Sequence, residues 1–139
     1  MKKTRLRIKG VSDTATVKQD IQDTVRAIVI IRDGGCILRK IRNCYDSVLQ
    51  ADHLITRANS ATYADTRLIV CICRSCHGWK KWNEIEYNNL VRQLISPERV
   101  KLWDACQKDR EAHRTRKMDW KVELLALKQE LHDIQSVQK

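Results

Sequence analysis

The chain has 139 residues, enough for one compact domain or one domain with appendages; 42% are hydrophobic, 5% aromatic and none is Phe, so aliphatic side chains must fill the core. Its net charge of +10 is concentrated over residues 1–40 (10 basic, 4 acidic) and 41–82 (6 basic, 3 acidic), whereas 83–139 are nearly balanced (11 basic, 10 acidic). This is the footprint of a polyanion partner, nucleic acid ahead of a membrane surface; no run approaches the roughly 18 apolar residues that span a bilayer.

The basic first ten residues, MKKTRLRIKG, lead into no apolar segment of a secretion signal, which places the chain in the cytoplasm. There, six cysteines point to thiols and bound metal rather than to a disulfide framework. The alternation of basic residues with Leu6 and Ile8 reads as a short strand, a disordered arm touching phosphate, or a solubilising tail, and we delimit a basic arm over residues 1–16. Val17, Ile21, Thr24, Val25 and Ile28 recur at spacings of three and four and predict a helix over 17–32; its β-branched end, Ile28 to Ile31, also suits a strand. Asp33-Gly34-Gly35 ends it in a tight turn.

Beyond the turn, Val48 to Ile55 reads as a strand interrupted by Gln50, Asp52 and His53. A polar loop follows over 57–66, then a second strand from Leu68 to Ile72, antiparallel to the first if the loop doubles back. Arg74 to Asn83 is the helix after it. Trp79 and Trp82, three residues apart on that helix, read as core packing. The fold class is therefore α+β, with a strand–strand–helix unit inside residues 17–83 and a helical extension over 84–139. In the extension, Tyr87, Leu90, Val91, Leu94 and Ile95 form one apolar face. Ser96-Pro97-Glu98 starts a second helix with Ser96 as N-cap, carried by Val100, Trp103 and Cys106. Residues 110–117 are basic and poor in apolar side chains, and His113 and His132 read as solvent-facing. Asp119 caps a third helix whose Leu124, Leu127, Leu131 and Ile134 form a stripe, for packing within the chain or for a homodimer through the C-terminal helices.

Cysteine pairs stand at both ends of the strand–strand–helix unit. Cys73 and Cys76 have the Cys-x-x-Cys spacing that lets one turn aim two thiolates at one ion, and with Cys36 and Cys44 they make a Cys₄ structural zinc site. Seven residues separate Cys36 from Cys44, so that loop must bulge between ligands. Cys71 competes with Cys44, because two residues before Cys73 on a strand it points the same way. Cys106, mid-helix, reads as core. Asp52 and His53, adjacent on a strand, leave on opposite faces; this disfavours one ion held by both and suits a division of labour where the strand ends. His77, beside Cys76, is either oriented across the hairpin or itself a zinc ligand. A solvated Asp52 and a structurally satisfied His53 remain the plain alternative.

RDGGC at Arg32–Cys36, ADH at Ala51–His53 and CRSCHGWK at Cys73–Lys80 resemble the HNH, or ββα-metal, endonucleases. The resemblance implies a zinc-bound ββα-metal unit in which His53 is the general base. Asp52 and His77 would hold one catalytic divalent ion, Mg²⁺ or a transition ion, and Lys80 would steady the backbone phosphate. Five residues before Cys73 the family carries an Asn that braces the loop between the strands; here Leu68 stands there, leaving Asp65 or Asn59 to brace it. Arg57, Asn59, Lys80 and Lys81 are the candidate nucleic-acid contacts. HLITR, LISPERVKLWD and a later Trp before a charged helix are similar to the phage NinG/Rap recombination nucleases. That similarity implies a DNA endonuclease acting on branched DNA in a bacterial host cell. Two other readings compete: a non-catalytic zinc-knuckle module for nucleic acid, and a partner-binding protein that uses the helical tail.

Overall fold

The computed structural model describes residues 2–57, 59–108 and 117–137, with side chains from residue 14 on; the basic stretch at 110–116, with His113, lies outside them. Helix α1 (Lys2–Asp33) leads to a single turn, α2 (Arg39–Arg42), then strand β1 (Leu49–His53). Two 3₁₀ turns, Ser60–Thr62 and Thr66–Leu68, precede strand β2 (Ile69–Cys73) and the short helix α3 (Arg74–Lys80) that follows it directly. Helices α4 (Glu84–Leu94), α5 (Pro97–Lys108) and α6 (Trp120–Val137) complete an α+β fold, mostly helical, around one two-stranded antiparallel sheet. Among the described residues no helix is long and apolar enough to cross a membrane.

The first residues, which the sequence leaves open between a strand, a disordered arm and a tail, and the strand-like finish at Ile28–Ile31 are both helical. Burial outranks β-propensity there: Ile21, Val25, Ile28 and Val29 are at most 1% exposed and pack against Leu127 of α6. The Leu124–Ile134 stripe of α6 is spent on this contact within the chain. Ser96 and Asp119 cap their helices as expected, accepting from the backbone N–H of Arg99 (3.3 Å) and of Lys121 (3.2 Å).

Strand alternation divides the core. Ile69 and Cys71 face α1 and α6, whereas Val70 and Ile72 face a second cluster holding Tyr87 and Val91 of α4 and Trp103 and Cys106 of α5. The register pairs Gln50 with Ile72, Asp52 with Val70 and His53 with Ile69. Directly opposed residues share a face, so Gln50 and Asp52 lie on the α4 side and His53 on the α1 side.

Side chains satisfy the outer edge of β2. Asp33 Oδ2 accepts from Cys71 N (2.8 Å), and Arg32, paired with Asp33 Oδ1 at 2.8 Å, donates to Ile69 O and Thr66 O (2.6 Å each). Gly34 (φ 71°) and Gly35 (φ 119°) then turn the chain through a region that side chains disfavour. Asp33→Ala removes the acceptor of a strand N–H and the partner of Arg32. It is expected to destabilise the protein by about 1–3 kcal/mol, read as a lower urea midpoint with unchanged slope, with Asp33→Asn recovering part of the loss.

Candidate metal centre and catalytic cleft

The four cysteines of the predicted zinc site converge. The Sγ atoms of Cys36, Cys44, Cys73 and Cys76 lie within 4.8 Å of one another, with Cys36 3.7 Å from both Cys76 and Cys44. Thiolates each about 2.3 Å from a tetrahedral zinc ion sit about 3.8 Å apart, so the donor set and its spacing fit that ion. The long gap between Cys36 and Cys44 does not bulge as a loop. It is taken up by α2, which ends on Asn43 in the left-handed region (φ 52°) and turns Cys44 inward. Ile37 N–H bonds Cys71 O (3.0 Å) and ties this knuckle to the sheet.

Cys71 does not join the cluster. As expected of a strand residue it keeps its alternation and faces α1, whereas Cys73 ends the strand as N-cap of α3, its Sγ accepting from Cys76 N at 3.4 Å. That change of backbone course separates two cysteines that regular β geometry would align. Burial pushes the Cys71 thiol up to about 12 and also raises Cys36 and Cys76, whereas at Cys73 desolvation is outweighed by hydrogen bonds, chiefly from Cys76, which lower it. Arg42 Nη1 donates to Cys76 Sγ (3.1 Å) while its guanidinium stacks 4.3 Å from the Trp79 ring centre, placing a fixed positive charge beside the thiolates. Cys44→Ser is therefore expected to lose the single zinc per chain, and Cys71→Ala to keep it, as measured by elemental analysis of the purified proteins.

Helix α3 packs against β1, and at the end of that strand a cleft of about 400 Å³ is lined by Gln50, Asp52, His53, Thr56, Arg57 and His77. Because β1 stops at His53, side chains from both sheet faces reach this opening. His53 Nε2 lies 2.9 Å from Tyr63 O. A carbonyl only accepts, so Nε2 carries the hydrogen and Nδ1 is the basic nitrogen of the neutral ring. Tyr63 is fixed in turn by Gln22, which donates to its hydroxyl at 2.6 Å, and by the edge-on ring of Trp120 at 5.4 Å. Burial, with the nearby positive charge of Arg57, holds the His53 imidazolium below the usual histidine range.

His77 has the opposite tautomer. Its Nδ1 donates to Gln50 Oε1 (2.6 Å), which leaves the Nε2 lone pair facing Asp52 Oδ1 at 3.7 Å. Two donors each about 2.1 Å from one divalent ion lie between about 3 and 4.2 Å apart, so this pair fits a shared ion. Comparison with family models, curated proteins and solved structures returns no match.

Asp52 is only 5% exposed and already partnered: Lys80 Nζ spans both carboxylate oxygens (3.0 and 2.9 Å) and the Tyr87 hydroxyl donates a short bond to Oδ2. Lys80 thus grips the carboxylate rather than standing free for phosphate. Asn59, a candidate phosphate contact, is 4% exposed and caps the first 3₁₀ turn, accepting from Ala61 N at 3.2 Å. Asp65 caps the second turn in the same way, accepting from Arg67 N at 3.1 Å. Both therefore brace the loop between the strands, while Leu68 is buried core. Arg57 lines the cleft. A second cleft of about 540 Å³ shares Gln50 and His77 with the first and adds Arg74, Lys80 and Lys81. Trp79 packs against the core, but Trp82, also expected there, is 86% exposed because α3 ends at Lys80. His132 is exposed, and Cys106 is buried among apolar residues.

Gln50, Tyr63 and Tyr87 are the site residues that the motifs did not single out. Gln50 had a signal, since two residues before Asp52 on one strand it shares that residue's face.

Proposed function

We propose that this chain is a metal-dependent endonuclease of the HNH, ββα-metal type that hydrolyses DNA phosphodiester bonds. Zinc on Cys36, Cys44, Cys73 and Cys76 serves as its structural cofactor. The observation that carries this reading is the pair of complementary histidines in one cleft. His53 spends its Nε2–H on Tyr63 and keeps Nδ1 for a proton; His77 spends its Nδ1–H on Gln50 and keeps Nε2 for an ion shared with Asp52. That is the division of tasks which hydrolysis of a phosphodiester requires.

In this mechanism His53 Nδ1 takes a proton from the attacking water, and Asp52 and His77 would hold one divalent ion. That ion, Mg²⁺ or a transition ion, would supply Lewis-acid stabilisation of the departing 3′ oxygen. Arg57 in the catalytic cleft, and Arg74 and Lys81 in the adjoining one, position the backbone through its phosphates. Phosphate contacts carry no sequence information, which favours structure-selective cleavage, and the NinG/Rap similarity directs it to branched recombination intermediates.

A second reading has an observation of its own. The Asp52 carboxylate is neutralised by Lys80 and Tyr87, and Leu68 replaces the family's loop Asn, as in a zinc module that binds nucleic acid without cutting it. Supercoiled plasmid and a synthetic four-way junction, incubated with zinc-loaded protein and Mg²⁺ or Mn²⁺, decide between them. The nuclease reading expects nicked circles and resolved junctions only when the divalent ion is present, with junctions cut faster than linear duplex. DNA shifted on a gel but intact with both ions supports the second.

A further inference from the structure

The buried carboxylate that the nuclease reading assigns to an ion holds a cation of the protein's own. We propose that the Lys80 ammonium is an internal counter-ion which a divalent cation must displace from Asp52, so that ion loading and phosphate capture are coupled through one side chain. This rests on the reading of Asp52 and His77 as ion ligands.

Three features support it. Lys80 Nζ spans both Asp52 oxygens at 2.9 and 3.0 Å and lies 4.8 Å from the ring centre of Tyr87, whose hydroxyl donates to Oδ2, so the carboxylate is in place but its charge is taken. Asp52 Oδ1 and His77 Nε2 lie 3.7 Å apart, and with Nδ1–H spent on Gln50 the Nε2 of the neutral ring is an acceptor, so a cation between the two would be held by both. A divalent ion there would repel an ammonium about 3–4 Å away strongly in a partly desolvated site. Lys80 has somewhere to go: its side chain is 23% exposed and also lines the basic cleft that contains Arg74 and Lys81. Its four-carbon stem lets the head leave Asp52 for that cleft, where a backbone phosphate would receive it. By linkage, a phosphate that draws Lys80 away strengthens ion binding, and a bound ion frees Lys80 for phosphate. The free protein therefore loads its ion weakly until nucleic acid arrives.

Mn²⁺ binding to the zinc-loaded full chain, followed by electron paramagnetic resonance without nucleic acid, tests this independently of cleavage. If pairing leaves Asp52 available in about a tenth of molecules or fewer, Lys80→Met should bind Mn²⁺ at least about tenfold more tightly than wild type. Lys80→Arg should stay near wild type. Lys81→Met, which removes an equal but exposed and screened charge, should change the affinity by less than about twofold. Asp52→Asn added to Lys80→Met should abolish binding. With the Lys80→Met affinity in hand, a short duplex should tighten Mn²⁺ binding more in wild type than in that variant. Zinc content and Trp103 emission report folding, with Lys80→Gln as the substitute should Lys80→Met be misfolded. Equal or weaker Mn²⁺ binding in the Lys80 variant, an equal gain in Lys81→Met, or no Mn²⁺ bound by any protein would overturn the proposal. A protein that shows the exchange yet cuts no DNA would overturn the nuclease reading alone.

Discussion

Replacing His53 by alanine is expected to lower the cleavage rate by about 10²–10⁴-fold, the usual contribution of a positioned general base. Zinc content and DNA affinity should hardly change. His53 sits at the end of β1, and its imidazole Nε2 bonds the carbonyl of Tyr63. Loss of that bond costs about 1 kcal/mol, small against the catalytic effect. The cysteine cluster does not use this imidazole. The basic side chains of the adjoining cleft are likewise untouched, so a gel shift should still show the complex. A His77→Ala variant should fail differently. It removes an ion ligand, so raised Mn²⁺ concentration should restore part of its rate, whereas no ion concentration replaces the missing base in His53→Ala.

Removing zinc should have the larger structural effect. The cluster of Cys36, Cys44, Cys73 and Cys76 is buried in the same core as Leu38, Ile72, Tyr87 and Trp103, and it ties the segment around α2 to the end of β2 and the start of α3. Without an ion the buried sulfur atoms are joined only by weak sulfur hydrogen bonds. Structural zinc contributes about 10 kcal/mol or more to small metal-dependent folds, and each kcal/mol moves the melting point of a chain this size by about 3–5 °C. A chelator should therefore lower the thermal midpoint by well over about 10 °C. Trp103, 1% exposed in the zinc-side core, should shift its emission to the red. The α1–α6 pair has its own apolar interface through Ile21, Val25, Ile28 and Leu127, so part of the helical circular dichroism should survive chelation.

Much of this centre can be read from local spacing. Cys-x-x-Cys at a strand-to-helix junction, and Asp-His at a strand end, are short-range patterns whose geometry follows from strand and turn dimensions, and β1, β2 and α3 form within two or three residues of where the pattern puts them. Caps at Ser96 and Asp119 are local in the same sense. What escaped the pattern depends on contacts between distant residues. Tyr87 belongs to an apolar helix face by periodicity, yet its hydroxyl reaches Asp52, 35 positions away. Lys80 looks like a surface cation until that same carboxylate is seen to be buried beneath it. Ile28–Ile31 carry β-forming side chains and become helix because α6, about a hundred residues later, covers them. Asn59 looks like a phosphate ligand or a brace equally well, and only its burial and its bond from the Ala61 N–H show it to be a brace. Trp82 was assigned to the core by helical spacing from Trp79, and the helix ends before it.

In the proposed mechanism a neutral His53, kept so by its burial beside Arg57, takes the proton of the attacking water. The pH dependence of single-turnover DNA cleavage at saturating divalent ion tests it most directly. Burial lowers the His53 value, so the base remains unprotonated to lower pH than an ordinary histidine; the rate should be level above about pH 6.5 and fall tenfold per unit below a midpoint beneath it. In His53→Ala that acid limb should vanish along with most of the rate. A limb that persists with the same midpoint in His53→Ala, or a variant that cuts as fast as wild type, would contradict the assignment.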